Sequence, residues 1–259
     1  MHWTHDLDPA IIHFGSLQIR WYGLMYVIGM MTSYVLLKNY FSRRKYLLVP
    51  PQKIDDLITW AFVGLLLGAR IFYIIFYNPT FYLSNPLEIF AFWHGGLSFH
   101  GGAAGIAVAM YFFSRKLKVP MLNLGDHIAI CGAIGIGLGR IGNFINGELW
   151  GRVTSVPWAI IFPDAGPDPR HPSQLYESFF EGFLMFFILI FIRKKQKSHG
   201  TTLFSFLGLY AIFRFFIEFF REPDMQLGFI VFNLSMGQLL CIVMLILAIV
   251  LWRISKRFA

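Results

Sequence analysis

The chain has 259 residues, of which 56% are hydrophobic and only 14% charged, with a formal net charge of +8. Soluble domains carry roughly 25% charged residues, so this composition, with a mean hydropathy of +0.59, excludes an ordinary soluble domain. The positive charge does not point to nucleic acid, because it falls in short clusters between apolar runs.

Residues 1–19 hold His2, His5, Asp6 and Asp8 and lack the basic start, short apolar core and small-residue cleavage site of a signal peptide. The expectation is insertion by the chain's own first span. About 20 helical residues cross a hydrocarbon core, and seven apolar runs suit that role: 20–41, 54–77, 97–113, 125–145, 174–192, 201–220 and 233–252. The expected fold class is therefore all-α, a polytopic membrane protein with about seven transmembrane helices, residues 1–259 forming one membrane domain. Residues 78–96, with Asn78-Pro79 and Asn85-Pro86 among aromatics, predict a short interfacial helix. Residues 146–173 form a loop or small head region, where Val156–Phe162 suits a short strand ahead of the breaker-rich Pro163–Pro172. Cys131 and Cys241 lie inside apolar runs and read as buried small hydrophobes.

Basic clusters follow alternate spans: Arg43-Arg44-Lys45 with Lys53, Arg115 to Lys118, Arg193 to Lys197, and Arg253 to Arg257. The positive-inside rule puts these in the cytoplasm, with the N-terminus outside and the C-terminus inside. All nine lysines lie in or beside these clusters, whereas the remaining seven basic residues, Arg20, Arg70, Arg140, Arg152, Arg170, Arg214 and Arg221, are all arginine. A guanidinium stays charged and offers a planar fork of donors suited to phosphate or carboxylate. Arginines on the outer side suggest an anionic ligand. The alternative is local pairing with acids such as Glu148, Glu218 and Glu222.

Residues three or four apart share a helix face. Arg140, Asn143, Gly147 and Glu148 then line one side as the fourth span ends, and Tyr210, Arg214, Glu218 and Arg221 line one face of the sixth. Ionisable groups at membrane depth are costly and mark function. Gly132, Gly135, Gly137, Gly139 and Gly142 suggest close helix packing, as do Gly64/Gly68 and Gly101/Gly105. His100, in the run His94 to Gly102, suits either acid–base work at neutral pH or a structural hydrogen bond. Metal spacing is lacking, and no nucleotide, flavin or haem motif is present, so no cofactor and no metal are expected. Arg20 to Tyr26 and Arg170 to Glu177 complete five polar clusters that meet the membrane from one side.

These segments resemble the prolipoprotein diacylglyceryl transferases of bacteria. The resemblance rests above all on Gly139 to Gly151, with Arg140, Asn143-Phe144, Asn146 and Glu148, and also on Trp21 to Tyr26, Gly95 to Gly102, His171 to Glu177, and Phe213-Arg214 through Arg221, which match in order along nearly the whole chain. It implies transfer of the diacylglyceryl group of phosphatidylglycerol to the lipobox cysteine thiol of a prelipoprotein, at the periplasmic face of the cytoplasmic (inner) membrane. It further implies that Arg140 and Arg214 hold the phosphate, that Asn143, Glu148 and Tyr22 shape the head-group site with Glu218 and Arg221 nearby, that His100 is the base and that Tyr210 assists. The partners implied are phosphatidylglycerol, the prelipoprotein signal peptide and membrane lipids, with no nucleic acid. Arg20 stands where the family commonly carries histidine and Ala69 where glycine is common, and the loop 152–170 is short for the family. Two rival readings are a transporter or channel for an anionic solute and a non-catalytic lipid-binding protein. The first lacks the internal repeat and broken-helix pair usual in such folds.

Overall fold

The computed structural model describes residues 2–14, 17–222, 229–231 and 234–257. In chain order the elements are β1 (Trp3–Thr4), β2 (Ala10–Phe14), β3 (Leu17–Arg20), α1 (Trp21–Val35) continued by a π-helical turn at Leu36–Phe41, α2 (Ile54–Tyr77), α3 (Pro79–Ser84), α4 (Phe99–Leu117) and α5 (Met121–Ile145). Then come β4 (Ile160–Ile161), β5 (Pro169–Arg170), α6 (Ser173–Glu177), a π-helical stretch Ser178–Leu184, α7 (Met185–Lys195), α8 (Thr201–Ile217), β6 (Phe229–Val231), β7 (Leu234–Ser235) and α9 (Met236–Arg257).

Each of the seven apolar runs is largely helical, but among the described residues four helices are both long and apolar enough to cross a membrane: Pro51–Tyr77, Met121–Ile145, Ser173–Lys195 and Met236–Lys256. Thr201–Ile217 is a shorter apolar helix. Boundaries differ from expectation for local reasons. Gly95 and Gly96 adopt φ of 79° and 74°, so the third helix starts only after Ser98, whose hydroxyl caps the Gly101 N–H at 3.4 Å. It ends at Lys118, in the left-handed region at φ 55°. Position 233, the expected start of the last span, lies outside the described residues. Among the described residues there are also three small sheets outside the all-α expectation: β1-β4-β5, the hairpin β2-β3 and the pair β6-β7. The strand expected over Val156–Phe162 shrinks to Ile160–Ile161, which pairs in parallel with Trp3–Thr4 and antiparallel with Pro169–Arg170.

The chain divides into two compact units, residues 36–125 and residues 1–35 with 126–259. In the first of these, α2 and α4 pack glycine to glycine. A Cβ on Gly64 would lie 2.6 Å from Ala109 Cβ and 2.7 Å from the Gly105 carbonyl oxygen. Such approach lets two backbones meet where lipid supplies no hydrophobic drive between helices. We expect Gly64→Val to force α2 off α4 and cost about 1–3 kcal/mol or more, read as a fall in the thermal midpoint of detergent-solubilised protein.

Arg70 does not face an anionic ligand, as its place among the seven arginines suggested. It is 2% exposed and donates to the carbonyls of Ile89 (3.0 Å), Ala91 (3.1 Å) and Gly96 (3.2 Å), and also to those of Glu88 and Gly95. One guanidinium thus ties together the short turns after α3 by donating to five of their carbonyls.

In the other unit, α5 crosses the helix 173–195 at Gly137 and Gly182, where Ser178 Oγ donates to the Gly137 carbonyl at 2.8 Å. Gly142 lies under Tyr22, 2.7 Å from Tyr22 Cδ2 for a Cβ placed there. A Cβ added at Gly132, Gly135 or Gly139 would meet no neighbouring atom within 4 Å, so close packing explains only part of the glycine run. At the start of this stretch, fully buried Asp126 accepts from Gln196 Nε2 (2.7 Å) and from the backbone N–H groups of Gly200 (2.8 Å) and Leu203 (2.9 Å). That carboxylate ties the α7–α8 turn to α5. Cys131 and Cys241 are buried and free.

Candidate active site

Three chain segments meet in backbone contact where α5 and α8 end. The Gly151 N–H donates to the His171 carbonyl (2.9 Å), the Arg152 N–H to the Phe220 carbonyl (2.9 Å) and the His171 N–H to the Arg152 carbonyl (3.0 Å). A Cβ on Gly151 would strike His171 Cβ at 2.7 Å, so only glycine permits this approach. Gln174 Nε2 donates to the Glu148 carbonyl at 2.6 Å and Ser173 Oγ to the Leu149 carbonyl at 3.2 Å. The polar motifs at 139–151, 171–177 and 213–221, distant in sequence, are thereby locked together.

The result is a cluster of arginines around one carboxylate. Glu177 Oε2 lies 2.6 Å from Arg140 Nε and 3.3 Å from Arg214 Nη1, and Glu177 Oε1 lies 3.1 Å from Arg221 Nη1. Arg214 continues to Glu218 Oε2 at 3.1 Å and to Glu181 Oε1 at 3.7 Å. The acid is inside and the arginines are nearer the surface: the Glu177 side chain is 1% exposed, against 21% for Arg140 and 15% each for Arg214 and Arg221. One carboxylate satisfies only a few of the five N–H donors each guanidinium carries. Arg214 Nη1 finds no hydrogen-bond acceptor among the described residues. That nitrogen is itself buried, between Glu177 and Glu181, so the partly exposed remainder of the three arginine side chains is what faces outward.

Arg140 Nη1 also donates to Asn143 Oδ1 at 3.4 Å, and Asn143 Nδ2 donates to Glu148 Oε1 at 2.8 Å. Glu148 accepts a second amide, Asn146 Nδ2, at 3.1 Å. The suggestion that Glu148 pairs with an arginine is therefore replaced: its partners are two amides, and the acid opposite Arg140 is Glu177. Arg214–Glu218 and Arg170–Glu222 do pair, the latter at 2.9 Å. Arg152 spends donors on the carbonyls of Arg221 (2.7 Å) and Glu218 (3.4 Å), a role in chain folding rather than ligand capture.

Tyr22 lies over Gly142, two residues from Arg140, and its hydroxyl is 3.2 Å from that of Tyr26. Tyr210 sits one turn before Arg214 on α8, its ring stacked on Phe206. His171 Nδ1 is 3.2 Å from the Tyr176 hydroxyl, which accepts from Trp158 Nε1 at 2.7 Å. Burial holds the His171 imidazole below the ordinary histidine value of 6.5, so its ring is neutral at pH 7. His100 belongs to the other unit, exposed in the first turn of α4. Among the described residues no group of three His, Cys, Asp or Glu side chains is placed to hold a metal ion.

Two residues of this cluster escaped sequence reasoning as site members, Glu177 and Glu181. Both are fully buried, four residues apart in one apolar helix. The signal was available, since a carboxylate within an apolar run is as costly as an arginine.

The family model for prolipoprotein diacylglyceryl transferase matches residues 9–254. Curated relatives named phosphatidylglycerol–prolipoprotein diacylglyceryl transferase include one from Geobacter sulfurreducens, 45% identical over 97% of this chain and 96% of its own. Another, from Pseudoalteromonas atlantica, is 46% identical over 97% of this chain and 91% of its own. A third, from Desulfotalea psychrophila, is 47% identical over 95% and 92%.

Proposed function

The chain belongs to the prolipoprotein diacylglyceryl transferase family, and we propose that it moves the diacylglyceryl group of phosphatidylglycerol onto the lipobox cysteine thiol of prelipoproteins. The observation that carries this reading is the convergence of Arg140, Arg214 and Arg221 on buried Glu177. Sulfur attacks the glycerol carbon that bears the phosphoester. The carbon–oxygen bond breaks with its electron pair left on the phosphate oxygen, a thioether forms, and glycerol phosphate leaves with the added negative charge. Fixed guanidinium groups stabilise that charge as it develops, because they need no reorganisation at the moment of reaction.

Within this reading Arg140 and Arg214 grip the phosphate. Arg221, Asn143, Glu148, Glu218 and Tyr22 shape the head-group site, and Tyr210 assists. A free thiol has a pKa near 8.5, and its anion is the nucleophile, so a base is required; His100 is our candidate. The seven helices lie across the cytoplasmic membrane as one domain, N-terminus outside and C-terminus inside, with 78–96 and 146–173 on the periplasmic side. The lysine clusters support this orientation. No separate cofactor is needed for this displacement.

Purified protein, phosphatidylglycerol vesicles and a lipobox peptide are expected to yield a peptide heavier by one diacylglyceryl group, bound at cysteine. A transporter for an anionic solute leaves the peptide unmodified, and that outcome removes the proposal.

A further inference from the structure

The charges of the cluster pose a question that the proposed function leaves open. Three guanidiniums, Arg140, Arg214 and Arg221, face three carboxylates, Glu177, Glu181 and Glu218. With all six ionised the cluster is neutral, and a phosphodiester monoanion would leave it with an excess negative charge in a poorly solvated place. Neutralising one carboxylate would remove that excess while the lipid is held.

The contacts single out which. Glu177 is shared by three arginines, and neutralising it would weaken three ion pairs at once. Glu218 pairs with Arg214 at 3.1 Å and accepts from Ser235 Oγ at 3.1 Å. Glu181 is 0% exposed, and among the described residues its one ion pair is with Arg214 Nη1 at 3.7 Å, beyond hydrogen-bonding reach. Neither of its oxygens has a hydrogen-bond partner among the described residues. A buried carboxylate without donors is the most costly of the three to keep ionised. Its position is also unusual: Glu181 lies in the π-helical stretch 178–184, beside the Gly137–Gly182 contact, and widened turns of this kind often mark functional sites.

We propose that Glu181 is the carboxyl that carries a proton while the arginine cluster holds the phospholipid phosphate, so that lipid binding and proton uptake are one linked event. The proposal rests on the phosphatidylglycerol reading above. The groups facing Glu181 are Arg140 from α5, Tyr210 and Arg214 from α8, Glu177 on its own helix, Arg221 beyond α8 and Cys241 from α9. Arg214 is the neighbour that the phosphate would draw away from it. When Arg214 turns its Nη1 toward an incoming phosphate, Glu181 loses that ionic contact, and taking up a proton then restores the balance of the site. Linkage fixes the direction: if the loaded site holds one more proton than the empty site, affinity falls with rising pH, by up to tenfold per unit once the empty site has lost its proton.

The test uses the full-length protein in detergent and a short-chain phosphatidylglycerol, titrated calorimetrically at pH 6 to 9 in two buffers of different ionisation enthalpy. Wild type is expected to take up close to one proton per lipid at the alkaline end, with affinity declining there. Glu181→Gln, a permanent mimic of the neutral acid, is expected to take up none and to keep its affinity flat with pH. Glu181→Asp, which still titrates, retains the uptake and guards against a folding defect in the glutamine variant. Lipid binding by wild type without proton uptake anywhere in this range overturns the assignment. So does unchanged uptake in Glu181→Gln, or a tenfold loss of its affinity at pH 6. Failure of wild type to bind the lipid at all would instead refute the phosphatidylglycerol reading.

Discussion

Replacing Arg214 with alanine is expected to lower diacylglyceryl transfer by about 10²–10³-fold, the loss typical of removing one preorganised donor to a developing anion. Arg214 is the hub of the cluster: it reaches Glu177, Glu181 and Glu218, yet its Nη1 is without a hydrogen-bond acceptor among the described residues. In the proposed reaction the phosphate supplies that acceptor. Arg214→Lys is expected to recover little, since an ammonium cannot bridge acids and phosphate with one planar fork. Steady-state rates with phosphatidylglycerol and a lipobox peptide, alongside thermal midpoints to establish folding, decide the matter. A folded Arg214→Ala variant with near-normal kcat/KM would show that the arginines are structural and the chemistry lies elsewhere. The same assay on His100→Gln ranks the base against the arginines; acid–base assistance is worth about 10²–10⁴-fold.

Glu177→Ala is expected to be as damaging, by a different route. With the shared carboxylate gone, three guanidiniums lose the charge that holds them together. Removing one partner of a buried ionic cluster costs about 3–5 kcal/mol because the remaining charges stay buried and unpaired. The thermal midpoint should fall sharply, and transfer in the folded fraction by about 10²-fold as Arg140 and Arg221 lose their orientation. Glu177 is a positioning residue in this view, so its effect should be strongly non-additive with Arg140→Ala. A double-mutant cycle of Glu177→Gln and Arg140→Ala tests this: simple addition of the two losses contradicts the geometry.

The residues at 139–151 and 213–221 were legible as a pair of polar faces because helical periodicity puts Arg140 with Asn143 and Arg214 with Glu218. The i, i+4 ion pair is present at 3.1 Å. Arg70 shows the limit of that reasoning. Its charge and depth matched those of Arg140, yet it serves carbonyls of the 88–96 segment, and nothing local in the sequence separates a guanidinium that folds a turn from one that awaits an anion. Glu148 shows the same limit: it stood among the local acids offered as arginine partners, while the acid that pairs with Arg140, Glu177, is 37 positions away.

By itself the sequence determined what periodicity and cost can determine. Seven apolar runs became helices because long apolar segments satisfy their backbone polar groups internally. The motifs marked the ends of the site because charged groups are tolerated at such depth only with partners. Which partners these are was decided only in three dimensions. The glycine contacts at Gly137 and Gly182 bring α5 against the helix 173–195, and the backbone bonds at Gly151 bring in the end of α8. Arg140 from α5, Arg214 from α8 and Arg221 just beyond α8 then share one carboxylate, an arrangement set by close packing between segments remote in the chain and visible in none of them alone.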